Sequence, residues 1–346
     1  MQRCIWVSRY EYQTPEDIER IMEDCAGAGF TSVMFQVRGN GTVFYNSTRE
    51  LWSETFQFQH PGFDPLAAAV SAAHARGLEL HAWVNVLTGW RGDPEKADPR
   101  QLVRSRPQWF LADADARPVA LESNYYWLNP CLPDVRRYLV SICFEIAANY
   151  EVDGIHLDHC RFADAREDQG QVSIDRSSRE LFARTRGGSP EANPEAYDRF
   201  ETEAVTQLVS EIKDSLDSLP NPPTLSVAVW RDPEEAVPRF HQDWAAWSRA
   251  ALVDAILPMN YEAQEERFEG NLEAAEQAGS SVPLIFGIGA YLHENPRQTL
   301  RQMDAAMDSG ADGISLFSYA TIFGTNTKQR VSAAAGFRRA VSGWRR

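Results

Sequence analysis

The sequence is short of the features that mark membrane proteins, metalloproteins and secreted disulfide scaffolds. None of its hydrophobic runs approaches the roughly 18 apolar residues that a membrane-spanning helix needs. Its five cysteines are odd in number, and no pair has metal-ligand spacing, so neither a disulfide framework nor a zinc site is expected. No signal peptide is visible, and free cysteines suit a reducing compartment. We therefore expect a cytoplasmic protein as the chain stands, or a periplasmic or extracellular one if a leader was trimmed.

Positive charge is scarce, and lysine is almost absent. The 346 residues contain 34 Lys and Arg against 49 Asp and Glu, which gives a formal net charge of −15, and only three of the cations are lysines. An acidic surface repels phosphate backbones, so nucleic acid is not an expected partner. The rest of the composition is 43% hydrophobic and 24% charged, which excludes a fibrous or wholly disordered chain.

What the sequence does contain is a repeated alternation of amphipathic helical stretches with short apolar runs. The runs of strand length are residues 4–8, 32–37, 79–85, 153–158, 224–230, 255–261, 284–290 and 313–319. Near-continuous apolar strands alternating with helices are typical of a parallel sheet covered on both faces. Eight such units in one chain predict a (β/α)8 barrel. An open doubly wound sheet is the alternative, weakened because no G-x-G-x-x-G follows a strand.

We expect one (β/α)8 domain over residues 1–346, with its functional site at the C-terminal ends of the strands. Three segments are too long for simple connections, namely about residues 38–63, 86–133 and 160–192, and each follows a strand. Long loops on that face are where such barrels build active sites.

The fourth apolar run supplies the first candidate catalytic group. In Asp153-Gly154-Ile155-His156-Leu157-Asp158, alternation predicts that His156 and Asp158 face the lumen, with Asp158 at the mouth. A carboxylate there is either catalytic, which we favour, or paired with a neighbour such as Arg161. His156 lies deeper and is better interpreted as a hydrogen-bonded imidazole that orients Asp158.

A second candidate carboxylate, Glu262, follows the sixth run beside Asn260 and Tyr261. Either it is catalytic or it is a solvated residue in the first turn of a helix, and the sequence leaves both open. Asp158 with Glu262 would supply the two carboxyl groups that glycoside hydrolysis normally uses.

Polar and aromatic side chains are predicted to surround these carboxylates. The residues expected to contact a ligand are Arg38, Trp83, Asn85, Trp127, His156, Arg161, Trp230, Asn260, Tyr261 and Tyr319. Unpaired polar groups are costly inside a core, so a polar lumen near the mouth favours a hydroxyl-rich ligand. Aromatic faces at a polar cleft suit stacking on sugar rings, although any one of them could be a core residue.

Several motifs in order resemble a known family, the bacterial glycosyl-hydrolase-like family 10 group, which is distinct from the family 10 xylanases. The motifs are Phe35-Gln36-Val37-Arg38, Pro61-Gly62-Phe63-Asp64-Pro65-Leu66, His81-Ala82-Trp83-Val84-Asn85, Trp127-Leu128-Asn129-Pro130 and Val152-Asp153-Gly154-Ile155-His156-Leu157-Asp158. The resemblance implies a (β/α)8 barrel and cleavage of glycosidic bonds, and some relatives act on peptidoglycan strands. Asp158 and Arg161 match the family's strand-four pattern, except that Ala163 stands where a proline is common.

A more distant likeness to chitinase-type barrels breaks down at their catalytic glutamate. Cys160 stands at the equivalent position, and a thiol cannot replace a carboxylic acid as proton donor. Asp158 or Glu262 would then have to supply the acid.

The prediction is therefore a glycoside hydrolase that acts on a carbohydrate without a metal or other cofactor. One alternative is a carbohydrate-binding barrel that has lost catalysis, which the cysteine at position 160 keeps open. Another is a metal-dependent hydrolase using His156, Asp158 and His159, although no H-x-H or H-E-x-x-H occurs. Oligomeric state is not predicted.

Overall fold

The computed structural model of the protein describes residues 1–113, 115–164, 176–324 and 328–344, the side chains of 328–334 excepted. Each apolar run contains a strand: β1 Gln2–Val7, β2 Ser32–Arg38, β3 Glu79–Asn85, β4 Gly154–Asp158, β5 Thr224–Trp230, β6 Ala255–Asn260, β7 Ile285–Ile288 and β8 Gly313–Phe317. All neighbours pair in parallel and in chain order, and β1 pairs with both β2 and β8. The predicted (β/α)8 barrel is confirmed, and the open sheet is wrong.

Helices pack around this barrel and connect its strands. In the described residues they are α1 Pro15–Gly27, α2 Pro65–His74, α3 Leu102–Ser105, α4 Pro133–Asn149, α5 Arg176–Arg186, α6 Pro194–Asp217, α7 Pro233–Phe240, α8 Trp244–Arg249, α9 Glu265–Ala278, α10 Pro296–Asp308, α11 Tyr319–Phe323 and α12 Lys328–Gly343. Their starts follow the capping signals: Thr14 and Asp17 form a reciprocal capping box, and the Asp64 carboxylate accepts from two first-turn amides of α2. No helix in the described ranges is long and apolar enough to cross a bilayer.

Alternation along the strands separates two hydrophobic clusters. Along β1, Ile5 and Val7 belong to the large cluster between strands and helices, whereas Cys4 and Trp6 belong to a smaller one. That smaller cluster fills the barrel itself, with Met34, Trp83, Ala255, Leu257 and Ile285. Because Trp6 is only 1% exposed, truncating it to alanine should cost about 3–5 kcal/mol.

The long connections leave the C-terminal ends of the strands, as predicted. The chain after β2 forms the short strands Thr42–Val43 and Leu51–Trp52. After β3 it forms an antiparallel sheet of Thr88–Arg91, Ala120–Leu121 and Tyr125–Trp127. Of the third long segment, residues 165–175 lie outside the described residues.

One irregularity in β2 changes which side chains reach the lumen. The pairing of β2 with β3 runs in register as far as Gln36 and Trp83, then shifts so that Arg38 lies beside Val84. An extra residue in one strand reverses the alternation beyond it. Gln36 therefore faces the lumen, whereas Arg38 does not.

Candidate active site

A cavity of about 520 Å³ opens where the barrel strands end. Of the predicted site residues, those that line it are Trp83, Asn85, Asp158, Arg161, Trp230 and Tyr261. The chain just after β1 adds residues that were not predicted, of which Arg9 and Glu11 carry charge. A groove of about 460 Å³ between α9 and α10 lies away from the strand ends and contains none of these groups.

Asp158 ends β4 with both carboxylate oxygens occupied. The indole Nε1 of Trp83 donates to Oδ2 over 3.2 Å, and the backbone N–H of His159 donates to Oδ1 over 2.7 Å. The His159 ring nitrogen Nδ1 also lies 3.2 Å from Oδ2, although out of line for a hydrogen bond. Burial raises the pKa of Asp158, but the charge of His159 and the hydrogen bond from its backbone N–H outweigh the burial and hold the pKa well below its usual range. Asp158 is therefore an anion at any ordinary pH.

The backbone at His159 is what aims its N–H at Asp158. His159 has a φ of 49°, in the left-handed region that a non-glycine residue occupies at a cost of about 1–2 kcal/mol. Its ring is held against Tyr125 and Trp127, with centroids 5.9 and 5.5 Å away. Packing of the ring therefore supports a backbone conformation that hydrogen-bonds the carboxylate.

Glu11 lies in the same cavity and has the opposite electrostatics. Its Oε1 accepts from the Ser8 hydroxyl at 3.0 Å and from the Ser8 backbone N–H at 3.4 Å. Oε2 is buried without a hydrogen bond of good geometry, although the amide of Ala320 faces the carboxyl group. Burial raises the pKa of Glu11 to about 7, because the donors from Ser8 and Ala320 offset only part of the desolvation. Near neutral pH this carboxyl group is partly protonated.

Beneath the cavity, a hydrogen-bonded chain supports its floor. Trp6 Nε1 donates to His156 Nε2 at 3.0 Å, and His156 Nδ1 lies 2.9 Å from the Ser226 hydroxyl. Burial lowers the pKa of His156 to about 3, so the imidazole is neutral. His156 is fully buried and does not line the cavity, which corrects the expected ligand contact and agrees with a supporting role.

Aromatic rings and a neutralised arginine form the walls. Tyr261, Phe317 and Trp6 pack together, with Tyr261 and Phe317 centroids 5.4 Å apart. On the other side, Arg161 makes a bidentate pair with Glu122, both bonds 2.9 Å long. The arginine expected to orient Asp158 is thus held by Glu122.

Arg38 does not lie in the cavity wall, which corrects the expectation from the sequence. It is fully buried, and its guanidinium binds both oxygens of Glu50 at 2.7 and 2.8 Å. The shifted register of β2 points it toward these groups. Arg38 therefore stabilises the loop after β2.

Asn260, Tyr319 and Trp127 are also structural rather than cavity-lining. Met259 near the end of β6 and Tyr261 just beyond it line the cavity. Asn260 lies between them, so it points outward and donates to the Phe268 carbonyl at 2.9 Å. Tyr319 begins α11 and donates to Asp24 at 2.9 Å. Trp127 is fully buried beneath the guanidinium of Arg161, 5.3 Å from its ring.

Glu262 is placed at the entry to α9. Its Oε1 accepts from the backbone N–H groups of Ala263 at 3.0 Å and Gln264 at 3.4 Å. It is not among the described residues that line the cavity. The predicted pairing of Glu262 with Asp158 thus stays a prediction. The position of Glu262 outside the cavity lining does not favour that pairing.

Glu11 was not predicted, because it lies in a short connection and the long loops were expected to build the site. The connection from β1 to α1 is short, yet Ser8, Arg9 and Glu11 come directly after the apolar end of β1, residues 4–7. Polar residues that immediately follow a barrel strand are the signal that could have identified it. Cys160, by contrast, is fully buried in the outer core.

The donor set does not favour the metal-site alternative. The Nε2 lone pair of His156 accepts from Trp6, so it is not free to bind a cation. Within the part of the chain that the structure describes, no group of three or more His, Cys, Asp and Glu residues is arranged to hold a metal.

The chain is similar in sequence to known glycosyl hydrolases. The curated relatives include the glycosyl hydrolase YngK of Bacillus subtilis, 30% identical over 144 residues, or 40% of this chain and 26% of that protein. The glycosyl hydrolase DigH of Escherichia coli K12 is 25% identical over 260 residues, 67% of this chain and 55% of that protein. The chain thus spans about half the length of these relatives or less.

Solved structures give the same fold at lower identity. The catalytic domain of β-amylase from Paenibacillus polymyxa superposes with a TM-score of 0.60 at 11% identity, covering 99% of this chain and 97% of that one. Such a likeness concerns the fold alone. The family model for glycosyl hydrolase-like 10 matches residues 2–292, and the chain belongs to that family.

Proposed function

We propose that the protein hydrolyses O-glycosidic bonds of an oligosaccharide or polysaccharide in the cavity at the barrel mouth, with Asp158 and Glu11 as its carboxyl pair. The observation that carries the proposal is that two carboxyl groups in one cavity have pKa values displaced in opposite directions. Such a divergence is how glycosidases separate an acid from a base or nucleophile. Membership of a glycosyl hydrolase-like family supports the same reaction class.

In this proposal Glu11 is the proton donor. Its carboxyl group, with a pKa of about 7, passes a proton to the glycosidic oxygen as the bond to the anomeric carbon breaks. In this proposal the proton is carried by Oε2, which has no hydrogen bond of good geometry among the described residues. Water supplies the hydroxyl group to the anomeric carbon, and the remaining proton of that water returns Glu11 to its protonated form.

Asp158 supplies the negative charge. Hydrogen bonds from Trp83 and His159 fix the carboxylate, and His159 keeps it ionised, so it can stabilise the developing oxocarbenium charge and attack or activate water. Arg161, Trp230, Tyr261 and Asn85 position the sugar in the cavity. Glu11 comes from the β1 side and Asp158 from β4, so the two groups flank a sugar from different walls.

The test is hydrolysis with a reducing-end readout, using a panel of glycans and nitrophenyl glycosides. The proposal expects turnover by the wild type and loss of turnover in Asp158→Asn, with both proteins folded by circular dichroism. Binding of a glycan by the wild type without release of reducing ends would instead support the inactive carbohydrate-binding barrel. Loss of turnover on adding a chelator would support the metal-dependent alternative.

A further inference from the structure

Among the described residues, two arginines in the cavity wall have no carboxylate partner, whereas a third arginine has one. Arg161 is neutralised by Glu122 through two bonds of 2.9 Å. Arg9 and Arg231 line the same cavity, and in the described ranges neither has an Asp or Glu within ion-pair distance. This contrast is unusual in a chain with a net charge of −15, in which acidic side chains are plentiful.

Arg9 is held rigidly although it is almost fully buried. It is 2% exposed, its backbone N–H donates to the Gln36 side chain at 3.1 Å, and its Nη2 donates to the Tyr10 hydroxyl at 2.7 Å. The guanidinium lies against Gly39, where any Cβ would collide with it. Glycine at position 39 therefore makes room for a buried cation whose side-chain partner among the described residues is a neutral hydroxyl.

A buried guanidinium is costly unless an anion compensates it. Its planar fork matches a carboxylate better than it matches a sugar hydroxyl. Arg231 follows β5 and stacks on Trp230, with its Cζ 4.5 Å from the ring centroid. Because β1 and β5 lie opposite each other in an eight-stranded barrel, the two cations face the cavity from opposite sides.

We propose that the cavity recognises a glycan carrying carboxylate groups on its sugars, with Arg9 as the principal binding residue and Arg231 as a second one. This inference rests on the proposed function in one respect, because it concerns the same cavity. It does not require that the glycan is hydrolysed. Arg9 forms a paired, charge-assisted hydrogen bond with a sugar carboxylate, while the aromatic walls contact the apolar faces of the rings. A neutral glycan of the same shape leaves the Arg9 charge uncompensated and binds more weakly.

The experiment measures binding rather than turnover, in the Asp158→Asn variant. The probes are oligosaccharides from polygalacturonate, alginate and chondroitin and from glycans bearing lactyl-ether sugars, each beside its product after reduction of the carboxyl groups to alcohols. Sulfated neutral oligosaccharides are added to separate carboxylate recognition from a general preference for anions. Affinity is measured by calorimetry at fixed ionic strength.

We expect at least one carboxylated glycan to bind, and its reduced product to bind at least tenfold more weakly. Arg9→Gln should remove that preference, and Gly39→Ala, which displaces the guanidinium while keeping its charge, should weaken it. Arg297→Gln, at an exposed arginine outside the cavity, should not change it. Equal or tighter binding of the neutral products, equal binding of sulfated glycans, or no binding of any carboxylated glycan would overturn the inference.

The two proposals fail in different ways. Selective binding of carboxylated glycans without reducing-end release by the wild type would contradict hydrolysis and leave carboxylate recognition intact. Hydrolysis of neutral glycans with an unchanged kcat/KM in Arg9→Gln would contradict carboxylate recognition and leave hydrolysis intact.

Discussion

Asp158 and Glu11 occupy two walls of one cavity and are equally buried, yet they ionise in opposite ways. Each residue is 8% exposed. Asp158 receives donors on both oxygens and lies beside His159, which brings its pKa below the usual range. Glu11 receives well-aligned donors on one oxygen only, so burial dominates and its pKa rises to about 7.

Burial alone therefore does not determine the charge of a carboxyl group. Desolvation acts on both groups in the same direction, and the outcome is decided by the neighbouring His159 charge, present only at Asp158, together with the placement of donors. In β4 the donors come from the neighbouring strand and from a left-handed turn. After β1 the donors to Glu11 come from Ser8 and from the Ala320 amide.

The largest effect is expected from removing the charge on the β4 wall. Asp158→Asn should lower kcat/KM by at least about 10³-fold, because the transition state loses the anion that stabilises or attacks it. The melting temperature should stay within a few degrees, since the amide keeps the shape. Reducing-end assays with thermal melts check both expectations.

Glu262→Gln is the matched control for that experiment, because Glu262 is a carboxylate just beyond β6 that accepts from two backbone amides ahead of α9 instead of lining the cavity. It should change kcat/KM by less than about twofold, as surface substitutions usually do. A loss as large as that of Asp158→Asn would restore Glu262 to the pair and remove Glu11.

Removing the acid on the β1 wall should have the next largest effect. Glu11→Gln should reduce turnover of unactivated glycans by about 10²-fold, the range typical of a general acid. Wild-type activity should fall as pH rises through about 7, because Glu11 must be protonated, and the variant should lack this decline.

Nitrophenyl glycosides distinguish an acid from a merely structural carboxyl group. Their leaving group needs little protonation, so Glu11→Gln should lose much less activity on them than on natural linkages. An equal loss on both substrates, with the alkaline decline retained, would rule out proton donation by Glu11.

The barrel itself follows from the sequence because its strands are short, apolar and punctuated by helix caps. The alternation of residues at the ends of β3 and β4 predicted Trp83, Asn85 and Asp158 at the mouth, and the structure places all three along the cavity. These strands run regularly to the mouth, so a period of two translates directly into direction.

The same reasoning failed where regular geometry stops. Arg38 lies beyond a bulge, and Asn260 and Tyr261 are adjacent, so only one of them can face the lumen. Tyr319 lies beyond the end of β8, where strand parity no longer applies. The hydrogen bond from Trp83 Nε1 to Asp158 depends on a three-dimensional approach of two strands, which sequence spacing does not contain.

The raised pKa of Glu11 should also appear in the stability of the protein. A folded pKa of about 7, above the ordinary value of 4.5, means that the folded state binds the proton more tightly than the unfolded state. The resulting stabilisation is present below about pH 4.5 and is lost as pH rises through about 7, with a size on the order of 3 kcal/mol. Denaturant melts of wild type and Glu11→Gln should diverge over that window, and parallel curves would contradict the assignment.

A smaller effect is expected when one donor to Asp158 is removed. Trp83→Phe deletes the indole N–H that bonds Oδ2, so the pKa of Asp158 should rise and kcat/KM fall by about tenfold. Trp127→Phe is the control, since its buried Nε1 has no hydrogen-bond partner in the described residues. If both variants move the acid limb of the pH profile equally, the effect comes from packing and not from the hydrogen bond.

The smallest effect is expected from Ser8→Ala. The Ser8 hydroxyl donates to Glu11 Oε1 and thereby lowers the pKa of that carboxyl group, so its removal should raise the pKa further above about 7. The alkaline decline in activity should move to higher pH by less than about one unit, while the maximal rate changes little, because a neutral hydrogen bond is worth about 1 kcal/mol. In a Glu11→Gln background the same substitution should leave the pH profile unchanged. A shift that persists in that background would mean that another group titrates, and the contrast between the two walls would then need a different acid.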